Sequence, residues 1–382
     1  MSHDMQRYLT DPFQEITELG EGLFRLNIGP QLPISGQGRF LVVTDGELVY
    51  DIEVDIGYSH RGIEKILEYK NYIQGVVPLE RMVMLDTSNI LMGFVRAVED
   101  LYGVEPPPRA KYIRTIINEL NRISSHLYAL GLFAESAGWN PAVFIWTTAD
   151  REPILDLLEM ITGARWSHSF FIPGGVRADL PNGIKERILD TMDYIEKRLE
   201  VYEDAWIYNE TFRLRTEGVG VLPRDKAIEW GAAGPSLRAS GVAYDTRKNE
   251  PYSAYPELDF KIVTHTAGDS YARGWVRFEE MKVSIDLIRQ AIENIPEGRV
   301  KKTLPPRPVK QEALARAETG RGEINFYIYT EGRDKPYRVK ISPASFRNFF
   351  VIEQLPKIQE IKLADVPPLL YSFDPWFLDA DR

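Results

Sequence analysis

Gly57-Tyr58-Ser59-His60-Arg61-Gly62-Ile63-Glu64-Lys65 divides the chain into two kinds of pattern. Upstream, residues 22–58 read as strands. Phe24-Arg25-Leu26-Asn27-Ile28 alternates apolar and polar side chains, and Phe40-Leu41-Val42-Val43 and Leu48-Val49-Tyr50-Asp51-Ile52-Glu53-Val54 carry runs of strand length. Asp45-Gly46 between the last two is a hairpin turn signal. From Ile63 onward the apolar period becomes helical, which predicts helices over 63–75, 78–103, 108–137, 148–162 and 182–213, broken mainly at Pro or Gly. Asp150 with Pro153 reads as a helix start.

Residues 214–276 are rich in Gly, Pro and aromatic side chains and read as irregular, a length of loop that usually serves function. A further helix over 277–295 ends before Pro296-Glu297-Gly298, and Val300–Val309 has the composition of a linker. Glu323–Thr330 and Tyr337–Ile341 flank Glu331-Gly332-Arg333-Asp334 as a second hairpin. The fold class expected is α+β. An N-terminal antiparallel β element (1–60) precedes a core of long helices (61–299), and a C-terminal α/β element (300–382) carries the hairpin.

Composition narrows the function. The chain has 382 residues, 44% hydrophobic and 27% charged, which suits a folded protein with a large core. A net charge of -10 argues against a nucleic-acid partner. There are no cysteines, so this chain supplies no thiolate to a metal or an iron–sulfur cluster. The N-terminal stretch lacks the apolar core of a signal peptide, and no window approaches the roughly 18 apolar residues of a membrane span. A cytoplasmic location is expected, with any membrane attachment made through partners.

Read singly, the motifs are bland. Gly174-Gly175 and the pair Gly218, Gly220 lack the G-x-G-x-x-G frame between strand and helix and read as turn glycines. His3, His60, His126, His168 and His265 form neither H-x-x-x-H nor H-E-x-x-H. Taken in order, however, the blocks fit one pattern. Gly57–Lys65 resembles the G-x-x-H-R-G-x-E-K block shared by nickel–iron hydrogenase large subunits and the quinone-site subunit of respiratory complex I. Glu119-Leu120-Asn121-Arg122-Ile123-Ser124-Ser125-His126, Asp150-Arg151-Glu152-Pro153, Ile161-Thr162-Gly163-Ala164-Arg165 and Gly174-Gly175-Val176-Arg177 follow in the same order. So do Arg215-Thr216-Glu217-Gly218, Gly234-Pro235-Ser236-Leu237-Arg238-Ala239-Ser240-Gly241 and Gly268-Asp269-Ser270-Tyr271-Ala272-Arg273. The resemblance runs from about residue 29 to residue 382 and implies the hydrogenase large-subunit-like fold.

Two departures from that superfamily bear on function. Where hydrogenases hold nickel and iron with two C-x-x-C motifs, this chain has Val83 and Asp86 at the first and Trp376 and Asp379 at the second. One apolar side chain, one indole and two hard carboxylates do not replace four thiolates, so hydrogen activation is not expected. Where complex I relatives hold a quinone head group with a loop histidine and a tyrosine, this chain has Leu32 and Gly36 at the histidines of the loop and Met84 at the tyrosine. Glu135 takes the place of the carboxylate that pairs with the missing loop histidine.

The resemblance further implies that Arg81 and His168 approach a proximal 4Fe-4S cluster held by a small partner subunit, where they would tune its potential and protonation. A scaffold with cluster contacts but without nickel–iron or quinone ligands is most similar to the large subunit of archaeal membrane-bound sulfane sulfur reductases. That branch implies reduction of polysulfide with electrons from ferredoxin, coupled to ion movement. Arg81 would stabilise charge on sulfur and His168 would relay protons, with Glu135, Asp86 and Asp379 as further proton-path residues. Implied partners are the small cluster-bearing subunit, a 30-kDa-like complex I subunit, a membrane-arm subunit of the quinone-chamber type and antiporter-like membrane subunits. Two alternatives stay open: a complex I-like subunit reducing a quinone or methanophenazine, and a non-catalytic docking scaffold.

Overall fold

The alternating stretch Leu23–Ile28 (β2) pairs antiparallel with Arg39–Thr44 (β3), Phe24 opposite Thr44 and Ile28 opposite Phe40. The Asp45-Gly46 turn then returns the chain as Leu48–Asp55 (β4), with Val42 opposite Ile52. Gly46 adopts the left-handed φ of 105° that the turn requires, and the Asp45 carboxylate accepts the Glu47 and Leu48 amides. These strands belong to a computed structural model that describes residues 16–32 and 36–382. Ile16–Gly20 (β1) closes one edge of the sheet; the other edge is Ile361–Lys362, which pairs with Leu48 and Val49. The last strand therefore comes from the far end of the chain. The 1–60 and 300–382 elements expected as separate share a sheet and a core, in which Phe40, Val42 and Ile52 pack on Phe349, Phe373 and Phe377. The Phe349 and Phe377 rings lie 4.6 Å apart.

Helices α1 (Ile63–Tyr69), α2 (Val76–Glu80), α3 (Thr87–Tyr102), α4 (Pro108–Ser136), α5 (Ala142–Thr162), α6 (Ile184–Tyr202) and α7 (Ser270–Asn294) form the main body. Several of the expected boundaries differ: the helix read over 63–75 ends at Tyr69, and the helix read from 277 starts at Ser270, inside the segment read as irregular. The helix read over 78–103 is interrupted between Glu80 and Thr87, and neither Pro nor Gly marks the break, because Arg81-Met82-Val83-Met84-Leu85-Asp86 is as apolar as a helix face. Helix α5 starts at Ala142, where Asn140 accepts the Ala142 amide, and Pro153 lies inside it. The helix read over 182–213 changes to a π turn at Glu203–Ile207 and restarts after Asn209, whose side chain caps Glu210–Thr216. The expected C-terminal hairpin, Gly322–Tyr329 with Arg338–Ser342, gains a third strand, Glu312–Thr319, whose alanines gave it little strand character in the sequence.

The irregular 214–276 segment is held to the bundle by buried charge. Glu119 in α4 takes Arg247 at 3.0 Å, the Ser284 hydroxyl of α7 at 2.6 Å and the Tyr255 hydroxyl at 2.5 Å. Arg247 also bonds Asp245 at 2.7 Å. Arg238 bridges Glu280 of α7 at 2.6 Å and Glu318 of the C-terminal sheet at 2.8 Å, and His126 meets the other oxygen of Glu280 at 3.1 Å. All of these residues are buried. Burial alone would raise the Glu280 carboxyl, but Arg238 and His126 hold it well below the usual range. The blocks Glu119–His126 and Gly234–Gly241 thus carry the interior of the fold, which accounts for them without a catalytic role.

Buried ion pairs of this kind contribute little over apolar packing, but removing one partner strands the other. Arg247→Ala, which leaves Asp245 and Glu119 short of their cation, is expected to cost roughly 3–5 kcal/mol. Thermal unfolding followed by circular dichroism checks this, and a loss below about 1 kcal/mol would mean that the lattice does not hold the 214–276 segment.

Candidate functional site

The sequence block at 57–65 acts on the opposite end of the chain. The Asp381 carboxylate accepts the Gly57 amide at 2.8 Å and the Ser59 amide at 2.7 Å, while His60 Nδ1 lies 2.6 Å from the Asp381 carbonyl. Arg61 then spans the junction. Its Nη1 donates to the Arg81 carbonyl at 2.6 Å and its Nη2 to the Met82 carbonyl at 2.9 Å, with a longer contact to the Leu378 carbonyl at 3.5 Å. One arginine thus fixes the non-helical 81–86 segment against the C-terminal segment.

Between those segments lies a cleft of about 1020 Å³. Gln31, Leu32, Gly36 and Gln37 form one wall, and Arg61, Arg81, Met84 and Leu85 a second. Tyr128 of α4, Arg151 of α5, Trp166 and Ser167 form a third, and Trp376 and Leu378 close the floor. No carboxylate stands among these described residues. A second depression of about 570 Å³, lined by Arg39, Leu41, Glu53, Asp55, Tyr58 and their neighbours on the sheet, contains none of the expected site residues.

Of the residues singled out from the sequence, Leu32, Gly36, Arg81, Met84 and Trp376 all border this cleft. Arg81 caps the end of α2 with an exposed side chain, whose one hydrogen bond is a long 3.4 Å contact to the Val77 carbonyl. His168 is buried beside the cleft. Its Nδ1 lies 2.9 Å from the Ser88 hydroxyl at the start of α3, and its Nε2 has no partner. Ser167 and Ser169 on either side adopt left-handed φ values of 50° and 45°, and the buried Glu80 carboxylate accepts both the amide and the hydroxyl of Ser169. Glu80 therefore ties the His168 loop to the turn that presents Arg81. Burial pushes the imidazole down to about 4, so it is neutral at ordinary pH. Glu135 is exposed near the end of α4 and does not border the cleft.

Behind Trp376 lie the other degenerate ligand positions. Val83, Asp86 and Asp379 are buried. Asp86 accepts the Asn89 amide group at 2.6 Å and the Gly320 amide at 2.6 Å. The Arg321 guanidinium sits 3.6 Å from Asp86 and 3.2 Å from Asp374 and stacks on the Trp376 ring at 4.5 Å, while the indole Nε1 donates to Asp374 at 2.9 Å. A fixed internal cation lies among these carboxylates, and among the described residues no group of three or more His, Asp or Glu side chains is placed to hold a metal. Asp379 accepts the Ser345 hydroxyl at 3.0 Å through one oxygen and leaves the other unpartnered. Burial, against the counter-effect of Arg321, pushes its carboxyl up to about 7.

Arg61, Tyr128, Arg151 and Trp166 border the cleft but had no assigned role from the sequence. Arg61 and Arg151 belong to matched blocks, so the signal present was an arginine in a block, without a hint of which face of its element it occupied.

The model of the family described as "Respiratory-chain NADH dehydrogenase, 49 Kd subunit" matches residues 140–309 and 303–382. A subunit of the F(420)H(2) dehydrogenase of Methanosarcina mazei is 40% identical over 378 residues, 97% of this chain and 100% of the relative. A subunit of the NADH-quinone oxidoreductase of Desulforamulus reducens is 41% identical over 354 residues, 92% of this chain and 96% of the relative. Among solved structures, a chain of the membrane-bound sulfane sulfur reductase, an archaeal respiratory membrane complex, superposes with a TM-score of 0.90 at 34% identity, covering 96% of this chain and 100% of that one.

Because Asp379 titrates near 7 when folded and near 3.8 when unfolded, its contribution to stability is full below about pH 4 and is lost as pH rises through about 7. Asp379→Asn removes that dependence. The variant should gain on the unmodified chain by up to about 4 kcal/mol between about pH 4 and pH 8 in denaturant titrations. A difference between the two that stays constant over this range would mean that the carboxyl ionises freely.

Proposed function

The chain belongs to the family of the 49 kDa subunit of respiratory-chain NADH dehydrogenase, and from that premise we propose that it is a peripheral oxidoreductase subunit of a membrane-bound respiratory complex, on the cytoplasmic side, whose cleft receives the electron acceptor. The acceptor is an anionic sulfane sulfur compound, a polysulfide. The observation that carries this reading is the lining: three arginines and no carboxylate among the described residues. A neutral quinone is held by one or two hydrogen-bond donors, and Leu32 and Met84 occupy the places expected to supply them. A polysulfide dianion gains from each guanidinium, and its polarizable sulfur suits Met84, Tyr128, Trp166 and Trp376.

Among the described residues no helix is long and apolar enough to cross a membrane, so attachment runs through other subunits. These are a small subunit with a 4Fe-4S cluster, a 30-kDa-like subunit, a membrane-arm subunit and antiporter-like subunits, with ferredoxin as donor. The orphaned Nε2 of His168 and the exposed guanidinium of Arg81 fit a polar neighbour of that kind on the partner's side. The cluster supplies electrons. Two electrons and one proton added to a polysulfide dianion break one S–S bond, release hydrosulfide and leave a dianion shorter by one sulfur. Arg81 offsets the negative charge that builds on the departing sulfur. His168, neutral at rest, takes up a proton at Nε2 as negative charge arrives beside it.

A second reading is favoured by the relatives of 40% and 41% identity, which are named as subunits of an F(420)H(2) dehydrogenase and an NADH-quinone oxidoreductase. In that reading a quinone or methanophenazine occupies the same cleft.

Oxidation of reduced ferredoxin by the purified complex, offered tetrasulfide, a short-chain quinone or protons alone, separates the readings. Turnover with tetrasulfide and no hydrogen evolution is expected, whereas turnover with quinone alone installs the second reading. In the same assay Arg81→Ala should lower turnover by roughly ten-fold and shift the neighbouring cluster to a lower potential, since a positive charge is removed. Undiminished turnover with an unshifted cluster would take Arg81 out of the site.

A further inference from the structure

Arg151 differs from the other buried arginines of this protein. Arg114, Arg238, Arg247 and Arg321 each meet a carboxylate, and Arg273 and Arg277 are held by backbone carbonyls. Arg151 is 3% exposed, and among the described residues no carboxylate lies within ion-pair distance of it. Its neighbours in sequence are engaged elsewhere, Asp150 by Arg198 and Tyr194, and Glu152 by Arg165. Its Nε donates to the Ser124 carbonyl at 2.9 Å, its Nη2 has no partner, and its guanidinium carbon lies 4.9 Å from the Tyr128 ring centre and 5.2 Å from that of Trp166.

Burying a cation without a counter-charge is costly, and the two aromatic faces offset only part of that cost. Because Arg151 borders the cleft, the missing counter-charge has a place to enter. We propose that Arg151 is the recognition point for the negative charge of the acceptor, its unbonded N–H groups donating to a terminal sulfur or oxygen of a small anion that lies between Tyr128 and Trp166. The ligand class is a linear sulfur anion, and the inference rests on the reading of the cleft as the acceptor site. Burial pushes the guanidinium down to about 10, so it stays charged at working pH. The Ser124 contact holds its stem to α4 while the end remains free, an arrangement that orients a donor without neutralising it.

The test uses the assembled complex carrying Arg151→Gln or Arg151→Lys, with tetrasulfide as the anionic acceptor, dimethyl trisulfide as a neutral one, and thiosulfate as an inert anion. In Arg151→Gln the KM for tetrasulfide and the inhibition constant of thiosulfate should both rise by roughly ten-fold or more. The KM for dimethyl trisulfide should stay within about two-fold, and Arg151→Lys should recover part of the loss. Equal effects on charged and neutral acceptors, or a fall in kcat alone, would make Arg151 a structural residue and overturn the proposal. Unchanged constants would overturn it as well. If the unmodified complex reduces neither sulfur compound, the proposed function fails by itself, and thiosulfate inhibition of quinone turnover then decides on Arg151. Inhibition relieved by the glutamine variant supports the anion site, and inhibition absent or unaltered ends it.

Discussion

The buried carboxylate of Glu119 is the point on which the rest of the molecule hangs. It sits near the middle of α4, the longest helix, and faces α7, the 214–276 segment and Arg122 of its own helix at once. A carboxylate in such a place must have several donors or it would take up a proton. Three of the four groups it receives, Arg247, Tyr255 and Ser284, come from parts of the chain far from α4 in sequence, so satisfying it sets the position of those parts relative to α4. Arg122, one turn on, reaches the carbonyls of Glu318 and Thr319 and extends the same constraint to the C-terminal sheet. Directional, buried and dependent on full occupancy, these bonds specify one arrangement where apolar contacts alone would allow several.

The constraint reaches the cleft because α4 also carries its wall. Ser124 holds the stem of Arg151, and Tyr128, one turn later, faces both Arg151 and, at 6.5 Å, Trp376. The opposite wall is fixed independently, by the grip of Gly57–Arg61 on Asp381 and on the 81–82 carbonyls. The cleft is thus the seam between a lattice built on α4 and a clamp that joins the two ends of the chain. The position of the described walls thus depends on both assemblies at once.

Much of this was legible in sequence. The hairpin at Asp45-Gly46, the long helices and the Glu331–Asp334 turn follow from period and turn chemistry, and block order indicated the superfamily. The break at Arg81–Asp86 was missed because the stretch Met82–Leu85 is apolar and carries neither Pro nor Gly, although Asp86-Thr87-Ser88-Asn89 after it is a helix-start signal; the Arg61 brace and the bonds to Asp86 hold the break. Glu135 illustrates the opposite failure. The resemblance puts it at a carboxylate that pairs with a loop histidine, but Leu32 and Gly36 stand at the loop histidines here, and the glutamate is exposed. Arg151 was missed because a short pattern does not state which acids are already engaged. Asp150, Glu152 and Asp156 all lie close in sequence, and only the fold assigns them to Arg198 and Arg165.

Charge is distributed unevenly across Trp376, and the asymmetry has a direction. In front of the indole, Arg61, Arg81 and Arg151 line the cleft, and no carboxylate is among the described lining residues. Behind it, Asp86 and Asp374 share the guanidinium of Arg321, while Asp379 has only the Ser345 hydroxyl and an oxygen without a partner, and burial raises its carboxyl to about 7. Positive charge lining the cleft favours an anion in front of the indole, and the raised Asp379 carboxyl lies in the buried set behind it. Two carboxylates of the four positions where the hydrogenase pattern has cysteines thus differ in state: Asp86 is met by an amide group, a backbone amide and the Arg321 cation, whereas Asp379 has one hydroxyl and a raised carboxyl.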